Sequence, residues 1–157
     1  MKTRACQRGI TTVEVAIVGL LAMITLFGVL EIARAFFVLS ALQEATRRGA
    51  RVAAVCQVND PAVQEITVFG GGASTSTLVG GLTTANAIVE YLDPAGNVLG
   101  NPTGSSYGLI TYVRVRITGF LHQLLIPLFV TSLAMPDFQT TLPAESLGVW
   151  PGGFSPC

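Results

Sequence analysis

The chain has 157 residues, of which half are hydrophobic and 11% are charged, and its formal net charge is zero. An average soluble domain carries about 25% charged residues, so the composition excludes a disordered chain and argues against an ordinary water-soluble globule. Zero net charge also gives no global attraction to nucleic acid.

The zero conceals an asymmetry. Residues 1–9 carry +3 from Lys2, Arg4 and Arg8, residues 10–58 carry +1, and residues 59–157 carry −4. The basic start abuts the most apolar part of the chain. Val15–Leu30 is sixteen residues without a charge, and extended back to Ile10 the run is interrupted only by Glu14. At about 1.5 Å per residue, a helix over 10–30 is roughly 31 Å long, enough to cross a bilayer. Basic residues before it place the N-terminus in the cytoplasm and everything after it outside. A cleaved secretory signal is the plain alternative, but the apolar run passes into a helical pattern with no small-residue cleavage site after it.

The helical pattern continues to Cys56 without a proline. Ala41, Ala45, Gly49 and Ala53 recur every fourth residue, with Val38, Leu42, Val52 and Cys56 on the same side. Ser40, Glu44, Arg47, Arg48 and Arg51 lie opposite, which describes an amphipathic helix with a small-residue stripe. Glu44 is spaced to pair with Arg47 and Arg48. The stripe suits close packing on the protein's own sheet, the preferred reading, or on a neighbouring subunit. The two uses are compatible at different heights along the helix.

After Cys56 the composition shifts. Asn59-Asp60-Pro61 stops the helix. Gln64–Phe69 reads as a weak strand, residues 70–86 as a loop, and Asn86–Leu92 as a strand. In Asp93-Pro94-Ala95-Gly96-Asn97, proline sets the first corner of a turn and glycine supplies positive φ. Leu109–Thr118 is the clearest strand: Thr111, Val113, Val115 and Ile117 alternate with Tyr112, Arg114, Arg116 and Thr118. Leu121–Val130, broken by Pro127, reads as a loop near the membrane or a buried turn, and Phe138–Leu142 as a last strand. The fold expected is α+β: a long N-terminal helix, half membrane-spanning and half amphipathic, packed on a small antiparallel sheet of three or four strands. The expected divisions are a leader at 1–9, the helix at 10–57 with 10–30 transmembrane, and a β-rich domain at 58–157.

Glu14 is the most informative residue. A carboxylate inside a membrane segment costs on the order of 3 kcal/mol unless it lies at the boundary, and such groups usually have a partner. It stands in Arg8-Gly9-Ile10-Thr11-Thr12-Val13-Glu14-Val15-Ala16: a basic leader, a glycine, four non-acidic residues, then Glu and an apolar run. This arrangement resembles the processing site of type IV prepilins. The resemblance implies cleavage by prepilin peptidase between Gly9 and Ile10, with Glu14 fifth in the mature chain. Glycine allows close approach to the bond to be cut. Cleavage would create an α-amine on Ile10, and Glu14 of a neighbouring subunit is its natural counter-ion.

Gly28-Val29-Leu30-Glu31-Ile32-Ala33-Arg34-Ala35, Ala41-Leu42-Gln43 and Ala45-Thr46-Arg47-Arg48-Gly49-Ala50-Arg51 extend the likeness. This N-terminal region resembles TadE-like minor pseudopilins of tight-adherence (Tad, or Flp) pilus systems. Major pilins of those systems usually have an aromatic residue after the Glu, whereas this chain has Val15, and they are much shorter. The resemblance implies a pilin-like ladle shape and a structural role in priming or capping an adhesive pilus. It also implies an inner-membrane location with a periplasmic C-terminal domain. The implied partners are prepilin peptidase, other pilins met through the N-terminal helix, and the inner-membrane pilus assembly platform. A minor pseudopilin of a type II secretion system is a neighbouring alternative; a signal-anchored periplasmic binding domain is one from another class.

Of three cysteines, Cys6 lies in the leader, so processing leaves Cys56 and Cys157. They would be free to pair in an oxidising periplasm, or to remain thiols. Signs of catalysis are few. Gly104-Ser105-Ser106-Tyr107-Gly108 matches G-x-S-x-G, but it precedes a strand instead of a helix and reads as a turn. His122 is the only histidine. Gly70–Gly72 lacks the lysine and helix of a phosphate loop, and no Cys/His cluster suits zinc. The expectation is a non-enzymatic protein without cofactor or metal.

Overall fold

The computed structural model describes residues 8–100, 102–125 and 132–157, with side chains from Thr11 onward. Lys2, Arg4, Cys6 and Pro127 lie outside the described residues, as do the side chains of Arg8 and Ile10.

A single helix, α1 (Arg8–Val55), dominates the molecule. It is 48 residues long, about 72 Å at the standard rise per residue. Every residue from Thr11 to Leu30 is exposed. Val38 is the first buried apolar residue, and from it Ala41, Leu42, Ala45, Thr46, Gly49, Ala50 and Ala53 continue a buried stripe at spacings of one, three and four. That stripe packs on the protein's own sheet and on a second helix, so the small residues serve an internal contact here. A Cβ on Gly49 would collide with the Thr67 side chain. Thr67 cannot turn away freely, because its Oγ1 donates to Val63 O at 2.7 Å. Among the described residues, no ion pair joins Glu44 to Arg47 or Arg48. Arg48 instead lies over the Phe69 ring, 5.8 Å from its centroid.

The second helix, α2 (Pro61–Thr67), replaces the strand expected at Gln64–Phe69. Asp60 caps it: its Oδ1 accepts from Ala62 N at 2.9 Å, and Pro61 occupies the first turn, where no N–H is needed. The pair that ends one helix thus begins the next.

The sheet is antiparallel, in the order β1 (Ala87–Leu92), β2 (Tyr112–Ile117), β5 (Phe138–Pro143). Val113, Val115 and Ile117 are buried, while Tyr112, Arg114 and Arg116 face outward. The central strand starts later than expected because Gly104–Leu109 forms a 3-10 helix. On the outer face Glu90 sits opposite Arg114. Its carboxylate accepts from Arg114 Nε at 2.6 Å and lies 3.5 Å from Arg116 Nη1. The β1–β2 connection begins with the expected turn, where Asn97 N donates to Asp93 Oδ1 at 2.8 Å.

Two small hairpins complete the fold: β3 (Leu121–Gln123) with β4 (Ser132–Ala134), and β6 (Val149–Trp150) with β7 (Gly153–Phe154). The segment expected as a loop or turn therefore opens with strand β3, and residues 126–130 lie outside the described residues. The core has two parts. One gathers Leu42, Ala45, Val68, Leu82, Ile117 and Phe120; the other gathers Ala50, Ala53, Cys56, Val63, Tyr91 and Val113. Full burial of a side chain such as Leu42 is worth about 1.5–3 kcal/mol. The whole is an α+β, pilin-like arrangement: one long helix laid with its second half against a small antiparallel sheet.

Candidate functional site

The feature that distinguishes this molecule is the half of α1 that its own domain does not cover. Val15, Val18, Leu21, Met23, Phe27 and Val29 are all between 47% and 70% exposed. Large apolar side chains all round a helix require a membrane or other helices to cover them. The helix is long and apolar enough to cross a membrane, and none of its most apolar stretch is buried within the protein. Thr25, a polar residue in that stretch, turns its hydroxyl back to Leu21 O (3.1 Å) and Ala22 O (2.9 Å), so it adds no unmet donor.

Gly9 and Ile10 lie in the first turn of α1, and Glu14 follows one helical turn after Ile10 on the bare stretch. Among the described residues, no ion pair involves Glu14. The structure therefore gathers Gly9, Ile10 and Glu14 at one end of the helix, with about 30 Å of exposed helix between that end and the domain.

At the other end of the bare stretch is a polar junction. Glu31 Oε1 accepts from Arg34 Nη1 at 2.8 Å and from Leu125 N at 3.3 Å. His122, only 4% exposed, points its Nε2 to within 3.8 Å of the same oxygen, and that nitrogen has no hydrogen-bond partner among the described residues. A cavity of about 400 Å³ beside it is lined by Arg34, Phe37, Leu78, Gly80, His122 and Leu125. The sequence reading left His122 without a role. The signal that could have placed it was the Glu31/Arg34 pair, one turn of charge immediately after a charge-free run.

The far end of α1 is closed by the C-terminal segment. Glu145 N and Leu147 N donate to Ala54 O, and Gly148 N donates to Val55 O at 2.7 Å. These bonds satisfy carbonyls that a helix end otherwise leaves open. Gly148 has φ +78°, and a Cβ there would meet the Gln57 backbone. Cys56 and Cys157 form a disulfide, with Cα atoms 5.6 Å apart. Cys157 N also donates to Asp60 Oδ2 at 2.8 Å. Tyr91, which accepts from Asn59 N at 3.1 Å, lies under this closure. Burial pushes its phenol above the ordinary value; the Asn59 hydrogen bond opposes that, and the Asp60 charge adds to it.

The G-x-S-x-G residues lie in the 3-10 helix that leads into β2, not on a strand-to-helix elbow, so the nucleophile geometry of that motif is not formed. Among the described residues, no group of three or more His, Cys, Asp or Glu side chains could hold a metal ion.

No curated protein and no solved structure matches the chain. Residues 9–51 match the family described as TadE-like protein. The matched segment contains Gly9, Glu14, the bare stretch, the Glu31–Arg34 pair and the small-residue stripe up to Gly49. Over these residues, which carry the exposed helix and its packing stripe, the chain is similar to the TadE-like protein family.

Proposed function

We propose that this protein is a minor pseudopilin of a Tad-type adhesive pilus, a structural subunit without catalytic activity. Its single membrane-spanning helix is anchored in the inner membrane, with the N-terminus cytoplasmic and the sheet domain periplasmic. The observation that carries this reading is the bare half of α1, headed by Gly9, Ile10 and Glu14 and lying inside the TadE-like segment. Prepilin peptidase would hydrolyse the Gly9–Ile10 bond and leave a cationic α-amine on Ile10. Glu14 of an adjacent subunit would pair with it, which relieves a carboxylate otherwise costly in lipid and sets the axial register between helices. The apolar faces that lipid covers before assembly would then be covered by other pilins at the assembly platform. Supporting assembly, by priming the filament or standing at its tip, needs no more than this surface and a folded domain beyond it.

Replacing Glu14 by Leu tests the pairing. The expected result is a variant that stays in the membrane fraction but is lost from sheared filaments and from crosslinks to other pilins. A Glu14→Leu protein that assembles like the wild type would contradict the reading and favour a signal-anchored periplasmic binding domain.

A further inference from the structure

The exposed apolar surface does not end where α1 meets its domain. Phe36 and Phe37 on the helix are 64% and 54% exposed, and Leu78, Leu121, Leu125 and Leu133 on the domain are 50%, 56%, 71% and 46% exposed. Phe37, Leu78 and Leu125 line the same cavity, so helix and domain share one apolar rim. Its height along α1 is set by a hydrogen bond: Leu125 N donates to Glu31 Oε1 at 3.3 Å. Glu31 is the first residue after the charge-free run Val15–Leu30. When residues 10–30 fill a hydrocarbon core about 30 Å thick, the rim falls within about 10 Å of its outer edge, at the headgroup boundary.

We propose that this rim is a lipid-contacting collar: Phe37, Leu78 and Leu125 seat the domain on the outer leaflet of a phospholipid bilayer. The inference rests on the membrane reading of α1 and specifies what the domain does beside it. Continuity selects lipid as the occupant, because the rim prolongs the surface of the spanning helix at the level where apolar side chains enter the acyl boundary. The Arg34–Glu31 pair at the same height suits that boundary: Arg34 keeps 41% of its side chain exposed while its guanidinium holds Glu31, and its stem can lie along apolar surface with the charged head among the headgroups. Contact at the helix and at the hairpin together would hold the domain at one tilt until the subunit leaves the membrane.

Trp150 is the only tryptophan, and it lies 57% exposed on the distal hairpin. Full-length protein carrying Trp150→Phe would receive one new tryptophan at a time: Leu125→Trp, Leu78→Trp, or Val18→Trp as the control within the spanning stretch. Each is placed at high lipid-to-protein ratio in phosphatidylethanolamine–phosphatidylglycerol vesicles with brominated acyl chains. The collar predicts loss of emission and a blue shift for Leu125→Trp and Leu78→Trp, strongest with bromines near the headgroups, while Trp150 in the otherwise unchanged wild-type protein is unaffected. Quenching of Val18→Trp without quenching of either collar variant would overturn the collar and leave the spanning helix intact. Failure to quench Val18→Trp as well would overturn the membrane reading beneath it.

Discussion

The two halves of α1 share one conformation and have opposite surroundings. From Val38 to Val55 the helix is a core element, with alanine and glycine where sheet and α2 approach and charge on the other side. From Thr11 to Leu30 it is the same helix with bulky valine, leucine, isoleucine and phenylalanine on every side and no protein against them. Helix formation is thus common to both halves, while side-chain size and charge decide what each is built to meet. A small-residue stripe opposite arginines fits one neighbour, whereas all-round apolar bulk fits an apolar surrounding such as lipid or a bundle of like helices.

The comparison breaks most sharply at matched leucines. Leu42→Ala, in the packed half, should lower domain stability by about 2–5 kcal/mol, as large-to-small changes in a core do. Leu21→Ala, in the bare half, should leave it unchanged. Urea unfolding of the detergent-solubilised protein, followed by near-ultraviolet circular dichroism, distinguishes them. Next is the disulfide, which ties the end of the packed half to the last residue across a separation of 101. Cys56→Ser with Cys157→Ser should cost about 2–4 kcal/mol, and a reductant should have the same effect on the wild type. Membrane retention of both proteins should be equal.

Gly49→Ala comes third. The added methyl meets the fixed Thr67 side chain, so a loss of about 1–3 kcal/mol is expected from overpacking. Gly19→Ala, where nothing lies within 4 Å, should show no such loss in the same unfolding experiment. The smallest effect is the pH response of Tyr91. Its folded phenol titrates above the ordinary 10.0, so the neutral form is favoured in the native state. That contribution is fully present below the ordinary value and is lost as pH rises through the higher folded value. Thermal unfolding in alkaline buffers should therefore steepen its decline there, and Tyr91→Phe should flatten it.

Much of this arrangement was legible in residues. The long helix followed from the absence of proline, and β2 followed from the alternation of Val113, Val115 and Ile117 with Arg114 and Arg116. The small-residue stripe pointed correctly to the protein's own sheet. Gln64–Phe69 misled because six residues with Ile66, Val68 and Phe69 alternate well enough for a strand; the deciding signal was Asp60-Pro61, which caps and starts α2 as readily as it stops α1. Glu44 was expected to pair along the helix, but surface spacing does not reveal that Phe69 waits for Arg48. Of the polar junction only its Glu31/Arg34 side was legible. The junction joins Glu31 to His122 and Leu125, about ninety residues later, and only the β3–β4 hairpin brings them together. For Gly9, Ile10 and Glu14 the proposed meaning lies in spacing relative to a peptidase and a neighbouring subunit.

The central claim is that the bare half of α1 belongs to a pilin-type subunit, and it is most directly tested by intact mass and N-terminal sequence. The protein would be purified from membranes of cells with and without prepilin peptidase. The account predicts a mature chain beginning at Ile10 when the peptidase is present and an uncut chain when it is absent. A chain that keeps residues 1–9 in both would contradict it.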